Sequence, residues 1–113
     1  MRQTTLFDGE RRAEGVGAES VLLYALGDFQ VRGKALAGRD LPLDRLRGAF
    51  RRAAGVFGVE ELGDEEVAAA LAALGAQVRR VPTFFAKHPF RVVVPAPLAE
   101  RARAFFVETK KTD

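Results

Sequence analysis

Arg79, Arg80 and Arg91 flank the segment Thr83-Phe84-Phe85-Ala86-Lys87-His88, which is itself bracketed by Pro82 and Pro89. Cationic groups close to two aromatic rings suit a phosphate backbone with unpaired bases: Lys87 and His88 meet the backbone, while Phe84 and Phe85 stack. The competing expectation is that at least one of the two rings folds back onto the core. Arg45, Arg51 and Arg52 supply a second basic group, spaced on a helical stretch. Catalytic chemistry finds no comparable set. His88 is the only histidine, which excludes a histidine metal cluster, and Ser20, the only serine, stands where a helix cap is expected. Glu60, Glu61, Asp64, Glu65 and Glu66 match no calcium loop and suit the start of a helix. The absence of cysteine removes thiol nucleophiles, thiolate metal sites and disulfides together. The residues point to binding, with no enzyme activity, metal or cofactor expected.

Charge is unevenly spread along the 113 residues. Residues 1–57 carry ten basic and seven acidic groups, 58–75 carry none and five, and 76–113 carry eight and three, for net charges of +3, −5 and +5. A basic C-terminal third beside an acidic middle steers a polyanion to one side, although a plain solvated surface has the same composition. With 48% hydrophobic and 29% charged residues, the chain is expected to be one globular domain. No apolar run is long enough to span a bilayer and no leader pattern is visible, so a cytoplasmic protein without membrane contact is expected.

These groups need a scaffold. Leu22, Ala25, Leu26 and Phe29 recur at helical spacing and predict a first helix over 19–31. Residues 33–42 read as a connection. Leu43, Leu46, Phe50, Ala53 and Phe57 make the stripe of a second helix, stopped by Gly58, with its arginines on other faces. Asp64 is placed to cap a third helix whose stripe is Val67, Leu71 and Leu74, ended by Gly75. Two β-biased segments follow, 76–81 and 90–94, joined by a loop too long for a two-residue turn. Pro97 opens a last helix carrying Leu98, Ala102, Phe105 and Phe106, and 110–113 is expected to fray. Leu26, Leu46, Phe50, Val67, Leu71, Leu74, Val92 and Val94 are expected to share one core, with Phe90 joining them by alternation.

This order, with Leu62-Gly63-Asp64-Glu65-Glu66-Val67-Ala68-Ala69-Ala70-Leu71-Ala72-Ala73-Leu74-Gly75 running into a hairpin with Arg79-Arg80, resembles a winged helix-turn-helix domain over about residues 19–94. It is similar, more loosely, to the winged-helix tails of phage and plasmid replication primases. The resemblance implies an α+β fold with three helices, a two-stranded wing and a C-terminal helix over 18–109. It also implies a DNA-binding accessory role in replication, repair or transcription. In such domains the third helix reads base edges with polar side chains. Here its outward positions offer Glu65, Glu66, Ala69, Ala70 and Ala73, so binding is expected to be sequence-neutral. It would run through Arg79, Arg80, Lys87, His88, Arg91, Arg45, Arg51 and Arg52 on phosphates. The alternative is a protein–protein adaptor on the same scaffold, for which the alanine-rich third helix suits close packing. A homodimer is left open.

Residues 1–17 read as a flexible arm. Gln3-Thr4-Thr5-Leu6-Phe7 resembles the Gln-x-x-Leu-Phe peptide by which bacterial polymerases and repair factors dock on the DNA sliding clamp, and the start of the archaeal clamp-binding box. In that resemblance Gln3 enters a polar subsite while Leu6 and Phe7 fill an apolar cleft. The alternative is that Leu6 and Phe7 pin the arm to the domain's own surface. Gly15-Val16-Gly17 lacks the preceding strand and third glycine of a dinucleotide loop, and is set aside.

Overall fold

Val21-Leu22-Leu23-Tyr24-Ala25-Leu26 is apolar at every position, beyond the single stripe that predicts the helix, so this part of the helix must be covered on every side. That is its situation. In the computed structural model, which describes residues 8–82 and 90–112 (side chains over 17–82 and 90–111), the run is the centre of α1 (Asp8–Val31). All six residues are buried. Around α1 stand α2 (Arg47–Phe57), α3 (Asp64–Leu74) and α4 (Ala96–Thr112), each in contact with it. The closest approach is at Gly27. A Cβ there would lie 2.4 Å from the Phe106 Cβ and 2.5 Å from the Ala102 carbonyl oxygen, so only glycine lets α4 come so near. Gln30 fixes the same contact by donating to the Ala99 carbonyl at 2.8 Å.

Three short strands complete the α+β architecture: β1 (Asp40–Pro42), β2 (Gln77–Arg80) and β3 (Phe90–Val93), antiparallel in the order β1-β3-β2. Alternation along β3 turns Phe90 and Val92 into the core and leaves Arg91 and Val93 half-buried on the outer face. Leu22, Leu26, Leu43, Leu46 and Leu71 are essentially removed from water. Each contributes roughly 1.5–3 kcal/mol through burial.

Several expectations need correction. The sheet has three strands, not two: Asp40-Leu41-Pro42, read as part of a connection, pairs with β3 in the register Leu41↔Val92. Its Asp and Pro are poor strand formers, and it forms because β3 offers an unpaired edge, where a proline is tolerated. The first helix begins at Asp8 and not near Glu19, so residues 8–17 of the expected arm are helical. The last helix continues to Thr112, through most of the segment expected to fray. The second stripe divides into a 3-10 turn (Leu43–Leu46) and α2 proper, which Gly58 stops in a left-handed conformation (φ 69°), as expected of a C-terminal glycine. Gly63, not Asp64, is the N-cap of α3. Its N–H donates to the Glu66 carboxylate at 2.9 Å. Of the eight expected core residues seven are buried, and Leu74 is half-buried against the same cluster.

Candidate nucleic-acid interface

Period-two alternation separates Arg79 from Arg80, although the two are adjacent in sequence and were expected to act together. Arg79 pairs directly opposite Arg91 across β2 and β3, on the outer face of the sheet. Like charges in that register repel. The repulsion is relieved by Asp40 on β1: its carboxylate accepts from Arg79 Nη2 at 2.7 Å and from Arg91 Nε at 3.1 Å. Arg91 Nη2 also donates to the Asp40 main-chain carbonyl at 3.1 Å. The Arg79 hydrogen bond, and then that of Arg91, hold the Asp40 carboxyl below the usual carboxylate range. With two guanidiniums on one carboxylate, this face keeps a surplus positive charge beside a pocket of about 260 Å³ that Gln77 and Val93 also line.

Arg80 turns the other way, toward α3. Its guanidinium lies over the Phe90 ring, 4.5 Å from the centroid, and Nη2 donates to Glu65 at 2.6 Å. Arg80 therefore ties the hairpin to the start of α3, and its charge is matched by a carboxylate.

Arg51 and Arg52 are engaged elsewhere. Arg52 is directed to α1, where its Nη2 stands 2.7 Å from the buried Asp28 carboxylate, which also accepts from Arg32 Nε at 3.0 Å. Arg51 faces Glu61 at 3.5 Å. Arg45 is exposed, with no ion pair to another described residue. Arg47, left out of the expected set, is the best-anchored cation of α2: it donates to Glu61 at 3.1 Å, to the Leu62 carbonyl at 3.0 Å and to Asp64. These bonds tie the α2–α3 connection to α2 and partly neutralise the acidic run. On α3, Glu65, Glu66, Ala69, Ala72 and Ala73 are exposed, whereas Ala70 packs against the core.

Of the ten residues expected to meet nucleic acid, then, Arg79 and Arg91 converge, Arg80, Arg51 and Arg52 are paired with other carboxylates, and Arg45 is exposed on the 3-10 turn. Phe84, Phe85, Lys87 and His88 lie outside the described residues, as do Gln3, Leu6 and Phe7. Two of the carboxylates that organise these arginines, Asp28 and Asp40, were not among the expected residues. A signal for Asp28 was present: a lone charge inside an apolar run, four residues before Arg32. Among the described residues no helix is long and apolar enough to cross a membrane. Comparison with known protein families, curated proteins and solved structures gives no match to this chain.

Proposed function

We propose that this chain is a small non-catalytic winged-helix module that binds DNA without sequence preference, as an accessory to replication, repair or transcription. The order of elements supports the scaffold: a helix and a strand, then two helices, then a hairpin that joins the first strand in one sheet. The observation that carries the binding role is the Arg79–Arg91 pair, two facing guanidiniums that share one carboxylate on an open sheet face. A phosphodiester presents acceptor oxygens to the guanidinium N–H groups that Asp40 leaves uncovered, and adds the negative charge that face lacks. The exposed alanines of α3 carry no hydrogen-bonding group for base edges, so affinity follows charge and not sequence.

The test is fluorescence anisotropy with a labelled generic duplex and a single strand of equal length, read across salt. Binding is expected to weaken steeply between about 50 and 200 mM salt. Arg79→Glu combined with Arg91→Glu is expected to weaken it by at least about tenfold. No binding at about 50 mM salt, or strong preference for one operator sequence, overturns the reading. A second reading, a protein–protein adaptor, is favoured by a different observation. The carboxylates around α3 already match Arg47, Arg51 and Arg80, and the exposed Ala69, Ala72 and Ala73 suit a closely packed partner helix. A salt-insensitive protein complex in a chain without nucleic-acid affinity supports that reading.

A further inference from the structure

Four large hydrophobic side chains are exposed among the described residues, and two of them, Val31 and Val56, meet in one groove. The groove runs between α1, α2 and α4, has a volume of about 590 Å³, and takes no lining residue from the sheet. Its apolar wall is Val31, Val56 and Phe106, and its cations are Arg32, Arg52 and Lys110. The buried Asp28 carboxylate holds Arg32 and Arg52 in fixed orientation and offsets one of these three positive charges. Lys110 has no ion pair to another described residue. An occupant must bring an apolar side chain for the wall and a carboxylate for the surplus charge. Nucleic acid fits this less well than protein: Tyr24 and Phe106 are buried and offer no open ring for stacking, and the exposed part of the wall is aliphatic.

The chain carries such a pair on its own surface. Val59 is 43% exposed, and Glu60 is exposed with no ion pair to another described residue. Gly58 ends α2 in the left-handed region, and the Val59 N–H donates to the Ala54 carbonyl at 3.0 Å, which fixes Val59 just past the helix end. Val59 and Glu60 do not line the groove of their own chain. We propose that the groove binds the Val59-Glu60 pair of a second copy of this chain. The pair stands three and four positions after Val56 in sequence, so each copy carries both donor and acceptor, and a two-fold axis lets both exchanges occur at once. Such an interface closes on itself as a dimer. Three half-exposed valines make a small apolar patch, so the dimer is weak, with Kd on the order of tens of micromolar.

Sedimentation equilibrium of the full chain tests this directly. A reversible monomer–dimer equilibrium is expected. Val56→Asp, at an exposed position, is expected to raise Kd by at least about tenfold with unchanged thermal unfolding. Glu60→Lys is expected to weaken the dimer similarly, and adding Lys110→Glu to that variant is expected to restore it to within about threefold. A monomer at about 500 μM, more than tenfold above the expected Kd, overturns the proposal and leaves the groove to an acidic segment of another protein. So does a Val56→Asp protein that dimerises like the wild type, or a charge exchange that recovers nothing.

Discussion

Two of the protein's charged units, each one carboxylate between two arginines, stand in opposite surroundings. Asp28 sits on α1 with its side chain 8% exposed, bonded to Arg32 and to Arg52 of α2. Asp40 sits on the edge strand β1 with its side chain 46% exposed, bonded to Arg79 and Arg91. A carboxylate removed from water must keep its partners, because water cannot replace them. The Asp28 unit therefore acts as a fastener between α1 and α2. An exposed carboxylate exchanges its partners for water at little cost, so the Asp40 unit can yield to another anion. Charge count does not distinguish the two; burial does. Asp40 also has a defined pH behaviour. Its carboxyl is held below the ordinary range by Arg79 first and Arg91 second. It therefore stays charged through neutral and mildly acidic pH. Its contribution to folding is full above the unfolded value and is lost as pH falls through the lower folded one.

The largest expected effect comes from removing the buried carboxylate. Asp28→Ala leaves two guanidiniums beside an apolar wall, and breaking a fully buried pair costs about 3–5 kcal/mol. Arg32 and Arg52 are each about half exposed, so water recovers part of this, leaving roughly 2 kcal/mol. That corresponds to a Tm lowered by about 10 °C in thermal unfolding. A loss of only about 2 °C would place Asp28 with Asp40 and dissolve the contrast.

The next effect is on binding. Asp40→Asn removes the negative charge that restrains Arg79 and Arg91 and keeps a side chain of the same shape. Affinity for a generic duplex is expected to rise several-fold, and the salt dependence of binding to steepen by about one unit of slope, as for one added phosphate contact. Anisotropy titrations at several salt concentrations measure both. Unchanged affinity in a variant that still binds would move the contact away from the sheet face.

Much of the fold was legible because burial imposes periodicity. The stripes on α2 and α3, the stop at Gly58 and the alternation of Phe90, Val92 and Val94 all follow from which residues avoid water. Two things were not legible locally. One is β1: Asp40-Leu41-Pro42 has no strand preference of its own, and only the free edge of β3 makes it one. The other is the partner of each arginine. Arg52 resembles Arg45 and Arg51 in sequence, yet a carboxylate twenty-four positions earlier captures it. Arg79 and Arg80 are neighbours that the pleat sends to opposite faces, one to Asp40 and one to Phe90 and Glu65. Charge patterning counts cations, whereas the fold determines which of them remain available.

The smallest effect separates the two units most cleanly, because it depends on solvent access alone. Salt screens exposed charges within about 10 Å at 0.1 M and about 3 Å at 1 M. Asp40, Arg79 and Arg91 all reach solvent, so ions can gather around each of them. The Tm difference between the wild type and Asp40→Asn is expected to be about 1–2 °C at low salt and to vanish by about 1 M. The Asp28 carboxylate is only 8% exposed beneath its arginines, so mobile ions screen it far less than they screen Asp40. The difference between the wild type and Asp28→Ala is therefore expected to persist at about 1 M salt with most of its size. Six melting curves, the wild type and two variants each at two salt concentrations, are sufficient. If the Asp28 gap closes with salt as the Asp40 gap does, the buried unit behaves as a surface pair and burial is not what divides them. If neither gap responds, the Asp40 unit is held as firmly as the other, and a phosphate would not displace it.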